Sequence, residues 1–201
     1  MKSTNITWHG GEVRPEDRGA LLDQRGCVVW LTGLSGSGKS TIARSLESRL
    51  VGLGHLAYVL DGDNVRYGLN SDLGFSPADR EENIRRISEL ARLFADAGII
   101  TIAAFISPYR TGRGHARRIV GPERFIETYI DVPLDECERR DPKGLYKRAR
   151  AGEIADFTGI DAPYEQPEHP EIRITSAQAT PTDAAGKIME YLDEKRFLSG
   201  Q

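Results

Sequence analysis

The stretch Cys27-Val-Val-Trp-Leu-Thr32, followed by Gly33-Leu-Ser-Gly-Ser-Gly38-Lys39-Ser40, decides the fold of this chain. The first part is an apolar run that ends in threonine, which is typical of a strand buried on both faces. After the glycine-rich turn, apolar residues recur at the spacing of one helix face, at Ile42, Ala43, Leu46 and Leu50. The stretch therefore predicts a strand, a tight turn and a helix, which together make the first unit of an α/β fold.

Four more apolar runs of strand length follow, and helix-period segments separate them. The predicted strands cover residues 56–60, 99–106, 125–130 and 172–175. Ser76 and Pro77 are typical of an N-cap and a first helical turn, and they begin a long helix that ends before Gly98. Thr180 and Pro181 begin the last helix in the same way. This alternation predicts a mostly parallel five-stranded sheet with helices on both faces.

The 201 residues are 39% hydrophobic and 28% charged, which predicts a single domain over 1–201. Within it we expect an N-terminal extension at 1–24 and a lid at 141–170, because the second stretch is polar and long for a connector. A net charge of −3 argues against a general nucleic-acid surface. No apolar run approaches the roughly 20 residues of a membrane span, and the first residues lack the apolar core of a secretory signal. We therefore expect no membrane partner and a cytoplasmic location.

The glycine-rich turn matches the phosphate-binding pattern G-x-x-x-x-G-K-[ST] of the P-loop NTPase fold, between a predicted strand and a predicted helix. Backbone N–H groups of such a loop surround phosphate oxygens, and the helix N-terminus adds partial positive charge. In this pattern Lys39 reaches the β- and γ-phosphates and Ser40 binds Mg²⁺. The predicted ATP contacts in the loop are Gly33, Ser35, Gly36, Ser37, Gly38, Lys39, Ser40 and Thr41.

Two carboxylates follow the second predicted strand, at Asp61 and Asp63. Ligands bind at the carboxyl ends of strands in open α/β sheets, so an acceptor hydroxyl can be met there. One carboxylate can orient or deprotonate that hydroxyl while the other holds a Mg²⁺ water, and the sequence leaves open which does which. Since the chain has no Asn-Lys-x-Asp string, a kinase is favoured over a guanine-specific GTPase. The predicted metal ligands are Ser40, Asp61 and Asp63.

The residues after Asp63 have the chemistry of an acceptor site. Arg66 and Arg80 offer guanidinium groups for an anion, Asn83 offers an amide, and Phe75 offers an aromatic face for a base. Each of these residues has a plainer interpretation, as part of a solvated helix face or of the core. Taken together, they indicate an acceptor that is anionic and carries a ring.

Four motifs carry a resemblance to a known family. They are Gly33-Leu-Ser-Gly-Ser-Gly-Lys-Ser-Thr41, Leu60-Asp-Gly-Asp-Asn-Val-Arg66, Phe105-Ile-Ser-Pro-Tyr-Arg110 and Asp141-Pro-Lys-Gly-Leu-Tyr-Lys147. With Thr158-Gly-Ile-Asp-Ala-Pro-Tyr-Glu165 and Asn5-Ile-Thr-Trp-His9, they resemble the adenylyl-sulfate kinase (APS kinase) family over nearly the whole chain.

The resemblance implies transfer of the γ-phosphoryl group of ATP, with Mg²⁺ present, to the ribose 3′-hydroxyl of adenylyl sulfate in sulfate assimilation. It also implies catalytic roles for Lys39, Asp63 and Ser107. Phe75 and Phe157 would stack on either side of the acceptor adenine, which suits a flat ring. The implied acceptor-binding residues are Asp63, Asn64, Arg66, Phe75, Arg80, Asn83, Ile106, Ser107, Lys143 and Phe157.

Ser107 has two possible roles, because the serine of this Ile-Ser-Pro motif is often described as a phosphorylated intermediate in the family. A covalent route needs a neighbouring base and two displacements, whereas Asp63 and the phosphate loop suffice for direct in-line transfer. We therefore expect Ser107 to bind or position the acceptor, and phosphorylation of Ser107 is the alternative.

A cluster of cations lies in and before the expected lid, at Arg139, Arg140, Lys147, Arg148 and Arg150. These residues form either a solvated helix face or a charged cover over the triphosphate. Arg139 or Arg140 is expected to flank the ATP adenine, and spacing does not choose between them. The family resemblance further implies a homodimer and a functional link to ATP sulfurylase.

Two alternative functions remain from the sequence. The first is another small-molecule P-loop kinase, acting on a nucleoside monophosphate or a sugar acid. The second is a P-loop ATPase or regulator that needs no acceptor.

Overall fold

The computed structural model describes residues 5, 7, 9–175 and 180–198. Its strands are β1 (Cys27–Thr32), β2 (Ala57–Asp61), β3 (Ile100–Ala104), β4 (Phe125–Asp131) and β5 (Ile172–Thr175). They form one parallel sheet in the order β2-β3-β1-β4-β5. The predicted five-stranded parallel sheet is therefore confirmed. Of the predicted Asn5-Ile-Thr-Trp-His9 motif, positions 6 and 8 lie outside the described residues.

The helices of the described residues are α1 (Pro15–Leu22), α2 (Lys39–Gly52), α3 (Gly62–Tyr67), α4 (Pro77–Asp96), α5 (Arg110–Val120), α6 (Leu134–Arg140), α7 (Leu145–Arg150) and α8 (Pro181–Glu194). Both predicted N-caps are present, because Ser76 Oγ accepts from Asp79 N and Thr180 Oγ1 accepts from Asp183 N. Among the described residues, none of the helices has the length and apolar character to cross a membrane.

The alternation of β1 side chains divides the core into two layers, because successive residues of a strand point to opposite faces of the sheet. Val29 and Leu31 pack in the layer that contains α2 and α8. Val28 and Trp30 pack in the layer that contains α4 and α5. Helices therefore cover both faces of the sheet, as the sequence predicts, and every residue of β1 is buried.

The third strand ends earlier than the predicted 99–106 range. After Ala104 the backbone leaves the sheet, and the Ile106 carbonyl accepts a 2.7 Å hydrogen bond from Thr32 Oγ1. Ser107 then adopts a φ of 41°, which a continuing strand does not permit. The apolar sequence favoured extension, but a side-chain hydrogen bond and a left-handed residue end the strand.

The 1–24 range predicted as an extension contains a helix, α1, which the sequence analysis did not identify. Just after it, Gln24 is completely buried and bonds two distant backbone positions. Its Nε2 donates to Leu56 O at 2.9 Å and to Gly98 O at 2.7 Å, and its Oε1 accepts from Leu56 N at 2.8 Å. Gln24 therefore fastens the start of the chain to the amino-terminal side of β2 and β3.

Candidate active site

Three loops meet at the carboxyl ends of adjacent strands. Thr32 ends β1 and leads into the phosphate loop, Asp61 ends β2, and Phe105 follows β3. Asp61 and Leu31 both align with Ala104 of β3, so the three strand ends lie at one level of the sheet. This alignment brings the residues predicted to bind ATP and those predicted to bind the phosphoryl acceptor to one edge of the sheet.

The phosphate loop needs glycine at defined positions. Gly33 has a φ of 152°, and a Cβ there would lie 2.6 Å from the Ile130 carbonyl oxygen. Gly38 is the N-cap of α2 with a φ of 99°, a conformation that residues with a side chain rarely adopt. The loop therefore turns directly into the N-terminus of α2, where anions are stabilised.

Lys39 is 8% exposed and folds back over the loop. Its Nζ donates to Gly33 O at 2.9 Å, to Leu34 O at 2.6 Å and to Ser37 Oγ at 3.3 Å. Burial lowers the pKa of Lys39 to about 8, and the negative charge of Asp61 opposes that shift only in part. The ammonium group is thus held inside the loop with a strong need for an anionic partner.

The first turn of α2 is joined to the end of β2. Ser40 Oγ donates a 2.6 Å hydrogen bond to Asp61 Oδ2, and Asp61 Oδ1 accepts from Asp63 N at 3.0 Å. Asp61 is 5% exposed, whereas the Asp63 side chain is 63% exposed. The buried carboxylate therefore faces the phosphate loop, and the exposed one lies at the surface of the site.

The donor set around Ser40 fits Mg²⁺. A hydroxyl and a carboxylate provide hard oxygen ligands, and magnesium sites in kinases use one or two such groups with waters and phosphate oxygens. The described residues hold no group of three or more His, Cys, Asp or Glu that suits an all-protein metal cage. Ser40 and Asp61 thus suit a metal that is shared with a nucleotide.

A cavity of about 380 Å³ lies beside the phosphate loop. It is lined by Gly36, Ser37, Gly38, Thr41, Ile42, Ile130, Arg140, Pro142, Ile174 and Pro181. Arg140 is therefore beside the loop, whereas the Arg139 side chain is 73% exposed and pairs with Glu136 at 2.7 Å. Arg140 also pairs with Glu136, at 2.7 Å. The geometry separates two arginines that the sequence left equivalent.

The other cations of the cluster do not converge on the loop. Arg148 pairs with Glu153 at 3.2 Å, and Arg150 pairs with Glu138 at 2.8 Å. Lys147 is exposed on α7. In this structure, the solvated-face interpretation therefore holds for the arginines of α7.

Lys143 and Asp63 form an ion pair across the site, between the 141–170 segment and α3. Both side chains are more than half exposed, at 55% and 63%. Asn64 is also exposed on α3. Since surface ion pairs contribute little to stability, a ligand with a competing charge can exchange this contact.

Arg66 and Arg80 lie next to each other at the acceptor side. Arg66 Nη1 donates to the carbonyls of Leu73 and Gly74 at 3.0 and 2.9 Å. Arg80 Nη1 donates to Thr158 Oγ1 at 2.8 Å. Burial and the nearby Arg80 charge lower the pKa of Arg66. Because these bonds go to neutral oxygens, the two positive charges are left for an anion.

Two further predicted acceptor residues lie near the arginines. The Arg66 guanidinium lies 4.4 Å from the centre of the Phe75 ring, and Phe75 is 64% exposed. Asn83 is 6% exposed, and its Oδ1 accepts from Asn70 Nδ2 at 2.9 Å. Phe75 thus presents a ring to solvent, whereas Asn83 is bonded within the fold.

Phe75 and Phe157, which are predicted to stack on either side of the acceptor adenine, differ in exposure in this structure. Phe157 is only 9% exposed, and its ring packs edge-on against Tyr146 with centroids 5.0 Å apart. Phe157 belongs to the main core cluster. Apolar burial against Tyr146 and the core accounts for this placement.

Ser107 is 3% exposed, and both roles of its hydroxyl are occupied. Its Oγ accepts from Trp30 Nε1 at 3.1 Å and donates to Phe105 O at 3.4 Å. Ile106 is half-buried beside it. This structure therefore presents the Ser107 hydroxyl to the core rather than to the phosphate loop.

Sequence reasoning missed Tyr146, which supports the phosphate loop from α7. Tyr146 Oη donates to Ser35 O at 2.9 Å, and the residue is 2% exposed. The only signal in the sequence is its place inside the motif that begins at Asp141. Nothing in the residue pattern indicates a contact with a residue more than 100 positions away.

The parallel sheet, the phosphate loop on β1 and the carboxylates after β2 define the class of P-loop kinases. The model of the adenylylsulphate kinase family matches residues 25–175. An adenylyl-sulfate kinase of Clostridium acetobutylicum is 56% identical over 197 residues, which are 98% of this chain and 98% of the relative. The chain belongs to the adenylyl-sulfate kinase family, whose members are ATP-dependent kinases.

Two further relatives agree. Adenylyl-sulfate kinase 1, chloroplastic, of Arabidopsis thaliana is 58% identical over 98% of this chain and 71% of the relative. The solved structure of the Mycobacterium tuberculosis APS kinase in complex with AMPPNP and APS has a TM-score of 0.82 and 50% identity. The match covers 85% of this chain and 99% of the Mycobacterium tuberculosis chain.

Proposed function

We propose that this chain transfers the γ-phosphoryl group of ATP to the ribose 3′-hydroxyl of adenylyl sulfate, releasing ADP and 3′-phosphoadenylyl sulfate. The observation that carries the proposal is the pair of carboxylates at the end of β2. Asp61 is bonded to Ser40 of the phosphate loop, whereas Asp63, two residues on, is exposed, pairs with Lys143 and lies close enough to Arg66 for its charge to oppose the lowering of the Arg66 pKa. One strand end thus joins a nucleotide site to an anion site.

On the donor side, the phosphate loop and Lys39 would hold the triphosphate. The Lys39 ammonium would exchange its carbonyl partners, Gly33 and Leu34, for phosphate oxygens. Ser40 and Asp61 would hold Mg²⁺, which when bound neutralises charge on the phosphates and aligns them for in-line transfer. The adenine would occupy the cavity next to Arg140.

On the acceptor side, Asp63 would orient the 3′-hydroxyl and accept its proton. A general base must reach the proton that it removes, and Asp63 is the exposed carboxylate beside the loop. Lys143 would leave Asp63 for the anionic group of the substrate as the acceptor binds. The exchange would free the carboxylate only when an acceptor is present.

Arg66 and Arg80 would bind the phosphosulfate, with Asn64 and Asn83 completing its contacts. Phe75 would stack on the acceptor adenine, a contact worth about 1–3 kcal/mol per base. Phe157 would have to leave its packing against Tyr146 to supply a second face. We therefore assign the main stacking role to Phe75.

Ser107 would position the acceptor loop rather than carry a phosphoryl group. Its hydroxyl is buried against Trp30, so no acceptor-facing nucleophile is available without rearrangement. Transfer between two bound substrates inverts the configuration at a chiral γ-phosphorus, whereas a phosphoserine route retains it. Retention would refute this role for Ser107.

Three expectations from the sequence stay predictions. They are the homodimer, the functional link to ATP sulfurylase and the cytoplasmic location. The lid role of the 141–170 segment, whose Lys143 reaches Asp63, also stays a prediction.

A panel of acceptors tests the proposed function. Purified protein with Mg-ATP should release ADP fastest with adenylyl sulfate, and slowly with AMP or a sugar acid. A preference for AMP or a sugar acid would favour another small-molecule kinase. ADP release that is independent of any acceptor would favour a P-loop ATPase.

A further inference from the structure

Arg113 is a buried arginine that none of the roles above uses. It lies in α5, and its side chain is 3% exposed. Its guanidinium donates from Nε to Glu127 Oε1 at 2.6 Å, from Nη1 to Ser107 O at 2.7 Å, and from Nη2 to Glu165 O at 2.7 Å. Arg113 therefore joins β4, the loop after β3 and the end of the 141–170 segment.

Ser107 needs such support because its backbone is in the left-handed region, with a φ of 41°. A residue other than glycine keeps this conformation only where surrounding contacts hold it, and such strain is concentrated at functional sites. Trp30 Nε1 holds the Ser107 side chain at 3.1 Å, and Arg113 holds the carbonyl. Pro108 follows, which further restricts the Ser107 backbone.

The same loop is bonded to Glu165 at two more places. Glu165 N donates to Pro108 O at 2.8 Å, and Arg110 N donates to the Glu165 carboxylate at 2.8 Å. Together with Arg113, these bonds fix Ser107 and two residues that follow it, Pro108 and Arg110. The end of the 141–170 segment is thus part of the support of the loop.

A further contact connects this unit to β1. Thr32 Oγ1 donates to Ile106 O at 2.7 Å, and it lies 2.9 Å from Tyr164 Oη. Since the Thr32 proton is used on Ile106, the Tyr164 hydroxyl donates to Thr32. The position of the loop after β3 is therefore set against the strand that carries the phosphate loop.

We infer that Arg113 is a positioning residue for the phosphoryl acceptor, which holds the Ser107 backbone so that Ile106 and Ser107 meet the acceptor in the correct place. The inference rests on the proposed function with adenylyl sulfate as acceptor, for which the family resemblance implies that these two residues line the pocket. This role requires the planar guanidinium group of arginine, whose N–H donors point in three directions. A lysine ammonium does not reproduce that arrangement.

Loss of the Arg113 guanidinium should weaken binding of the acceptor more than binding of ATP. The phosphate loop has its own supports, including the Lys39 contacts and the bond from Tyr146 Oη to Ser35 O. The Ser107 carbonyl has its short contact from Arg113, at 2.7 Å, whereas Thr32 Oγ1 lies 3.5 Å away. Small displacements of a bound reactant can lower rates by about 100-fold, so a shifted acceptor loop has a measurable effect.

The test compares Arg113→Lys with Arg117→Lys. Arg113→Lys keeps a positive charge for Glu127 but loses the guanidinium that bonds Ser107 O and Glu165 O. Arg117→Lys is the matched control, because Arg117 lies on the same helix and shares Glu127 with Arg113 at 3.7 Å, but its hydrogen bonds go to Phe125 O and Glu171 rather than to the Ser107 loop. For each variant, KM for adenylyl sulfate, KM for ATP, kcat and the melting temperature are measured.

We expect Arg113→Lys to raise KM for adenylyl sulfate at least about tenfold, with KM for ATP within about twofold. Arg117→Lys should leave both KM values unchanged, even where it lowers the melting temperature. An equal rise of both KM values in Arg113→Lys, or no rise, would overturn the inference. The same pattern in Arg117→Lys would also overturn it, because stability alone would then explain the effect.

A second variant keeps the test decisive if Arg113→Lys does not fold. Trp30→Phe removes the N–H that holds Ser107 from the other side and leaves the Arg113–Glu127 ion pair intact. It should raise KM for adenylyl sulfate about threefold or more, and an unchanged value would overturn the inference. If the wild type prefers another acceptor, the proposed function is wrong, and the inference is judged on the KM for that acceptor.

Discussion

Ser40 Oγ donates a 2.6 Å hydrogen bond to Asp61 Oδ2, which joins the first turn after the phosphate loop to the end of β2. The bond fixes a hydroxyl and a carboxylate side by side before any ligand arrives. Such a pair of hard oxygen ligands suits Mg²⁺. This contact is the reason why we assign Asp61 to the metal and Asp63 to the acceptor hydroxyl.

Asp61→Asn should raise the Mg²⁺ concentration for half-maximal activity at least about tenfold, because a neutral amide is a weaker magnesium ligand than a carboxylate. The asparagine can accept from Asp63 N through Oδ1 and donate from Nδ2 to Ser40 Oγ, so both neighbours of Asp61 keep a hydrogen-bond partner. Asp131→Asn is the control, since Asp131 also lies at a strand end but pairs with Arg173. A loss of kcat in Asp61→Asn that high Mg²⁺ does not restore would contradict the metal role.

Asp63→Asn should lower kcat by about 100-fold or more, because general base catalysis contributes about 10² to 10⁴. Its KM for ATP should stay within about threefold, since the Asp63 side chain is exposed on the acceptor side. Steady-state kinetics with adenylyl sulfate measure both values. Full activity in Asp63→Asn would show that the proton is removed elsewhere.

The affinity for a non-hydrolysable ATP analogue should fall as pH rises above 8. Burial lowers the pKa of Lys39 to about 8 in the free protein, whereas bound phosphates favour the charged ammonium. Below pH 8 the lysine is already protonated, so binding is independent of its titration. Above pH 8 binding must take up a proton, and the dissociation constant should rise toward about tenfold per pH unit.

Calorimetry between pH 7.5 and 9.5 measures this effect, and two buffers of different ionisation enthalpy report the proton uptake. Lys39→Arg is the control, because a guanidinium stays charged throughout this range. Any affinity for the ATP analogue that Lys39→Arg retains should therefore not vary with pH through titration at position 39. A flat profile in the wild-type protein would contradict the assigned role of Lys39.

Gln24→Leu should lower the free energy of unfolding by about 2–4 kcal/mol, because it removes the hydrogen-bond partner of the buried Gly98 O and of the part-buried Leu56 N. Urea unfolding of both proteins measures the change. Leu21→Ala is the control on the preceding helix, where Leu21 is 84% exposed, and it should change stability by less than about 0.5 kcal/mol. Equal effects of the two substitutions would show that Gln24 is not the fastening residue.

Local patterns in the sequence were enough to predict the phosphate loop and the strand and helix on either side of it. The loop is one contiguous string, and the buried strands are apolar runs, so neighbouring residues carry the signal. Ser76 and Thr180 could be predicted as N-caps for the same reason, and both are N-caps in the structure. These features depend on interactions within a few residues.

The features that the sequence did not predict depend on distant contacts. Gln24 bonds residues 32 and 74 positions away, and nothing near it in the chain indicates those partners. The stacking of Phe157 on the acceptor adenine stays a prediction, and its edge-on packing against Tyr146 is seen only in the fold. Arg139 and Arg140 are adjacent in sequence, and only the fold places Arg140 beside the phosphate loop.

The destination of the γ-phosphoryl group tests the central claim most directly. Protein is incubated with Mg²⁺, adenylyl sulfate and ATP labelled at the γ-phosphorus, and the labelled products are identified by chromatography and ³¹P NMR. We predict that the label appears at the ribose 3′-position of 3′-phosphoadenylyl sulfate, in a one-to-one ratio with ADP. Label found only in inorganic phosphate, at the same rate with and without adenylyl sulfate, would contradict the account.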